Sequence, residues 1–74
     1  MGERLLDVRE LEPPEPLERV LELLDTLAAG DALRMLHGRQ PNLLYPILER
    51  EGFAHHTTTT AEGDFEILIW RKQS

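Results

Sequence analysis

The chain has no cysteine. That excludes a disulfide scaffold, a cysteine-based zinc site and thiol catalysis together. It has one serine, Ser74, at the very end, so a Ser/His/Asp constellation fails for want of a placed nucleophile. Aromatics are few: two Phe, one Tyr and one Trp. No apolar run approaches the roughly 20 residues that span a bilayer. The opening MGERLLDVRE holds no apolar signal core, and Leu6 stands where a myristoylation signal wants Ser or Thr. The expectation is a soluble, cytoplasmic protein with no membrane partner. Glycine-rich phosphate loops are also missing: no lysine follows Gly52 or Gly63 closely enough to build one.

Positive charge is scarce. Eight Lys and Arg face fourteen Asp and Glu, for a net charge of −6. Residues 1–31 carry nine acids and three bases, 3 − 9 = −6, whereas residues 32–74 carry five of each. An acidic front half repels phosphate backbones, which disfavours nucleic acid as a partner. It suits either ordinary solvation or docking of a basic protein. With 74 residues the chain makes one domain with a thin core, spanning about residues 5–72 of 1–74.

What is present is hydrophobic periodicity. LLDVR at 5–9 predicts a short strand, and Pro13-Pro14 ends it, since neither proline donates to a ladder. Leu17, Val20, Leu21, Leu24, Leu27 and Ala28 recur at helical spacing and predict a helix over 15–28, stopped by Gly30. Residues 31–37 alternate as a strand, with Leu33, Met35 and His37 on one face and Ala32, Arg34 and Leu36 on the other. Asn42 is the expected N-cap of a second helix over 43–51, whose stripe is Leu43, Leu44, Ile47 and Leu48. Pro46 predicts a late start or a kink there. FAHHTTTT and DFEILIWR, separated by a turn with Gly63, predict a hairpin. Its last strand puts Phe65, Ile67 and Ile69 on one side, and Glu66, Leu68 and Trp70 on the other. The tail Gln73-Ser74 is expected to fray.

The predicted order is β-α-β-α-β-β. Right-handed crossovers place both helices on one face of the sheet. The fold class is therefore α+β, a two-layer sandwich in which two helices cover one face of a four-stranded mixed sheet. The other face stays open and carries Leu68 and Trp70.

The segment LDVRELEPPEPLERVLELLDTLAAGDAL resembles the opening of the TusA-like (SirA-like) sulfur carriers. In them a Leu-Asp strand runs into a Cys-Pro-x-Pro helix start, then a helix, Gly-Asp or Gly-Glu, and a strand. Leu6-Asp7, Pro14-Glu15-Pro16 and Gly30-Asp31 match. EILIWRK resembles the closing strand, and the similarity spans about residues 5–72. The carriers' cysteine position is held by Pro13, so the resemblance implies the fold and not the sulfur transfer. The chain is more similar to the cysteine-less branch grouped as a domain of unknown function. Leu6-Asp7-Val8-Arg9 and Pro41-Asn42-Leu43-Leu44-Tyr45 carry that likeness. The Asp-His-Asp-Pro stretch frequent in that branch reads Gly38-Arg39-Gln40-Pro41 here.

Candidate sites are few. No catalytic residue and no cofactor is expected. His55 and His56 are adjacent on a strand and point to opposite faces, so they do not pair on one metal. The alternation allows His37 and His55 to share a face, which makes them the weak metal candidates. Partner binding falls to two places: Pro13, Pro14 and Glu15 at the start of the first helix, and Arg34, Leu68 and Trp70 on the open face. The reading is a non-catalytic module that binds another protein, or itself through the open face, accessory to sulfur, redox or metal metabolism by family likeness alone. Two alternatives stay open. One is a small-molecule or metal carrier that uses the histidines. The other is an RNA-binding domain, since some ribosome-associated domains share the βαβαββ plan; the acidic charge counts against it.

Overall fold

A computed structural model describes residues 2–72. Six elements follow in chain order: β1 (Glu3–Asp7), α1 (Glu15–Asp25), β2 (Ala32–His37), α2 (Leu44–Glu51), β3 (Phe53–Thr59) and β4 (Phe65–Arg71). The sheet order is β1-β2-β4-β3, with β1 parallel to β2 and β4 antiparallel to both neighbours. The last strand of the chain thus fills the slot between β2 and β3. The α+β class, the mixed four-stranded sheet and the two helices agree with the expectation from sequence.

The core lies between the helices and one sheet face. Leu33, Met35, Ile67 and Ile69 supply the sheet side, with 0–1 % of their surface exposed. Val20 and Leu24 come down from α1, Leu44 and Leu48 from α2, and Val8, Leu27 and Phe53 close the ends. Each such side chain, once buried, contributes about 1.5–3 kcal/mol. Two-residue alternation in β4 decides the facing: Ile67 and Ile69 turn inward, while Leu68 and Trp70 turn out.

Element ends differ from the sequence expectation, each for a local reason. β1 covers 3–7 rather than 5–9. Its ladder stops because the Arg9 N–H turns back to the Asp7 carboxylate at 3.1 Å; Val8 still donates to the Leu36 carbonyl and is fully buried. α1 ends at Asp25, short of Ala28, which is exposed. Thr26 ends it, its hydroxyl donating to the Leu23 carbonyl at 3.0 Å, and Gly30 (φ +91°) serves the turn into β2 instead. Asn42 does not cap α2. Leu43 holds that position without a side-chain cap, and it is 80 % exposed rather than part of the stripe. Pro46 is accommodated within the first turn of α2, where a missing N–H costs nothing. The fraying expected of Gln73-Ser74 lies outside the described residues.

One helix end is capped from a distance. No basic residue lies in the last turn of α1. Arg71 of β4 donates there instead, Nε to the Leu27 carbonyl at 2.8 Å and Nη2 to the Leu24 carbonyl at 3.4 Å, while its guanidinium lies 4.9 Å from the Phe53 ring centroid. A cation is favourable at the negative end of the helix dipole, and here it adds a donor to the carbonyls of the last turn and of the exit from it.

Candidate functional site

The Pro13-Pro14 loop and α1 define a groove. Pro14 is the N-cap residue of α1, and Pro16 follows in the first turn, where it is buried. Proline there forgoes only an N–H that the helix start could not use. Leu17 and Val20 continue that wall. The opposite wall is the end of β2, Met35 and His37, with the connection through Pro41 to Leu43 and Leu44. Together they enclose a cavity of about 380 Å³, open to solvent and walled mostly by apolar side chains. The size lies within the range of binding pockets. Exposed Leu43 stands at its rim.

His37 is the one titratable side chain set into the groove wall on a strand. Its Nδ1 accepts the Arg39 N–H at 3.1 Å. Burial lowers its pKa from the ordinary 6.5, and the nearby Arg39 charge lowers it further, so both favour the neutral ring. Beside the groove, sharing Pro13 and Pro14, lies a shallow depression bordered by Glu12, Glu15, Glu18 and Glu22, with Arg19 tied to Glu15 at 3.3 Å. An apolar slot is therefore flanked by an acidic helix face.

The open sheet face is a second, separate surface. Arg34 at its centre is held by Glu3 from β1 and Glu66 from β4, both ion pairs, which raise its pKa. Leu68 is half-buried, Trp70 is 37 % exposed and Leu5 is 64 % exposed. The structure thus brings Arg34, Leu68 and Trp70 together on one face and Pro13, Pro14 and Glu15 at the other side of the molecule.

The histidines do not converge. His37 pairs with Phe65, and His55 with Ile69, so they stand on the helix-covered face two strands and four residues apart. That spacing is roughly 17 Å, far beyond a shared metal. Among the described residues no three His, Asp or Glu side chains come together as ligands. His55 instead stacks on Tyr45, with ring centroids 4.6 Å apart, and lies 3.4 Å from Glu49. Tyr45 Oη and Thr57 Oγ1 share a 2.7 Å hydrogen bond. Lys72, 2.9 Å from Glu49, is the main reason the Glu49 carboxyl titrates below its ordinary range. These contacts pin α2 to β3. His56 is exposed on the opposite face.

Three contacts carry no local sequence signal: the long-range Arg71 cap, the far wall of the groove and the reach of Arg9 to Asp64. Arg9 grips Asp7 at 2.7 Å and Asp64 at 3.2 Å, tying the β1 exit to the hairpin turn. That bidentate grip holds the Asp7 carboxyl at about 2 and raises the Arg9 pKa in turn. The Leu-Asp-x-Arg opening is thus a structural clamp.

A model of the family described as uncharacterized conserved protein (DUF2249) matches residues 5–71. No curated protein matches the chain, and no solved structure does. No helix among the described residues is long and apolar enough to cross a membrane.

Proposed function

The chain belongs to the family of uncharacterized conserved proteins DUF2249, and from that premise we propose that it is a non-catalytic cytoplasmic module that binds another protein through the groove beside Pro13 and Pro14. The observation that carries this is the open apolar slot with Leu43 80 % exposed at its rim. An exposed leucine next to a concave apolar wall gains by covering both. The acidic border of Glu12, Glu15, Glu18 and Glu22 selects the partner's chemistry: an apolar side chain for the slot, flanked by lysine or arginine. Kinship with the TusA-like carriers, on this reading, explains why the loop before α1 is the binding element. Pro13 offers no nucleophile, so no persulfide is carried.

A second reading has one observation in its favour. His37 in the groove wall is a hydrogen-bonding group inside an apolar slot of small-molecule size, as a carrier of a small ligand needs.

Affinity capture from the native cell extract, run in parallel with wild type, Leu43→Glu and Trp70→Glu, tests the proposal. A protein retained by wild type and Trp70→Glu but lost with Leu43→Glu is the expected result. Loss with Trp70→Glu and retention with Leu43→Glu moves the docking surface to the open sheet face. A small metabolite released on denaturing the purified protein, with no protein captured, favours the second reading.

A further inference from the structure

The groove beside Pro13 and Pro14 has a single charged side chain in its lining, and that side chain is a cation in a chain of net charge −6. It is Arg39, exposed at the mouth, on the wall made by the end of β2 and the connection to α2. The other Lys and Arg side chains are all engaged. Arg9, Arg19, Arg34, Arg50 and Lys72 reach carboxylates, Arg4 reaches the Thr26 hydroxyl and Arg71 the Leu27 carbonyl. Among the described residues Arg39 is the one whose guanidinium makes no hydrogen bond and no ion pair.

A second donor adjoins it. His37 Nδ1 accepts the Arg39 N–H at 3.1 Å, so the ring proton sits on Nε2. No acceptor among the described residues takes that proton. One wall of the apolar slot therefore offers two unused donors, one of them charged. Met35, two residues before His37 on the same strand face, and Leu44 supply the apolar surface of that wall.

We propose that the groove takes the C-terminal end of a partner chain, with an apolar last side chain in the slot and its terminal carboxylate on Arg39 and the His37 Nε2–H. This rests on the groove being the partner site, and it names the part of the partner that enters. A carboxylate pairs with a guanidinium through charge-assisted hydrogen bonds, the strong kind. The site asks for that carboxylate close beside an apolar side chain. In an extended chain, neighbouring side chains point to opposite sides, so an internal Asp or Glu next to a leucine faces away from it. On a last residue the side chain and the carboxylate leave the same Cα.

Charge separates a chain end from a free small acid. The α1 side of the groove is bordered by Glu12, Glu15, Glu18 and Glu22, and Arg19 answers only Glu15. That border repels a free carboxylate. A chain end with lysine or arginine just upstream turns the same border into an attraction, while its carboxylate lies on the opposite wall.

Fluorescence anisotropy on the full chain tests this, with a short labelled peptide that has two lysines upstream of a C-terminal leucine. The comparisons are its C-terminal amide and a version extended beyond the leucine by glycine and serine; N-acetylleucine serves as competitor. The free acid is expected to bind about tenfold or more tighter than either comparison. Arg39→Gln, an exposed change, should remove the preference, so that acid and amide bind alike. Equal binding of acid, amide and extended peptide to wild type overturns the inference and leaves the groove as a partner site. No binding by any of the three overturns both. A preference for the acid that persists in Arg39→Gln places the carboxylate elsewhere and overturns the inference. So does N-acetylleucine that competes with an affinity equal to the peptide's, which makes the ligand a small acid.

Discussion

Leu43 and Leu44 are neighbours of the same type with opposite fates, and exchanging each for alanine tests the placement of α2. Leu44 is 1 % exposed and packs in the core; Leu43 is 80 % exposed. Leu44→Ala removes buried carbon and leaves a cavity in a core with few other layers, a loss of about 2–5 kcal/mol. A domain of this size holds about 5–10 kcal/mol in all. With each kcal/mol worth roughly 4–8 °C in a 60–100-residue domain, Leu44→Ala should lower Tm by roughly 10–30 °C. Leu43→Ala removes surface that is already wet, and should shift stability by no more than about 0.5 kcal/mol. Thermal melts by circular dichroism, with urea titrations to compare midpoints at constant m, read both. Equal losses, or a larger loss at Leu43, would refute the placement and with it the rim of the groove.

Other outcomes follow from single contacts. Trp70 is the sole tryptophan and is 37 % exposed, so acrylamide should quench its emission in dilute protein; a blue-shifted, protected emission would contradict the open face. The Asp7 carboxyl is held at about 2 by Arg9, against an ordinary 3.8, so its stabilisation is complete above pH 3.8 and fades as pH falls toward 2. Asp7→Asn should therefore lie below wild type at neutral pH and converge with it by about pH 2, and a gap that persists in acid would contradict the clamp. Pro13→Cys should place a thiol by the start of α1 with a pKa below that of free cysteine, about 8.5, read by thiolate absorbance; a value at or above it would put residue 13 elsewhere.

Much of the architecture was legible because short-range patterns set it. The stripe of Leu17, Val20 and Leu24, the alternation of Ile67 and Ile69, and Gly63 (φ +87°) in the hairpin turn each follow from local geometry. Periodicity alone overran its elements. Leu27 is buried, yet it lies beyond the helix, because the chain turns at Thr26 and still delivers that side chain to the core. Leu43 fits the α2 stripe by spacing and faces water by position, since the helix begins one residue later. The site was legible only in part. Pro13 and Pro14 do line the groove, but its other wall, Met35, His37 and Leu43, comes from elements some twenty or more residues away. Arg71 and the helix it caps are 44 and 47 residues apart, a distance at which no sequence window reports contact.

Amide chemical-shift mapping reads the apolar groove and its acidic flank directly. The probe is a short peptide carrying two leucines between lysines, titrated into isotope-labelled full chain, with a leucine-to-serine version as control. Saturable shifts are expected at Leu17, Val20, His37, Leu43 and Leu44, absent with the serine peptide and lost in Leu43→Glu. Shifts confined to Leu68, Trp70 and their neighbours, or identical responses to the two peptides, would contradict it.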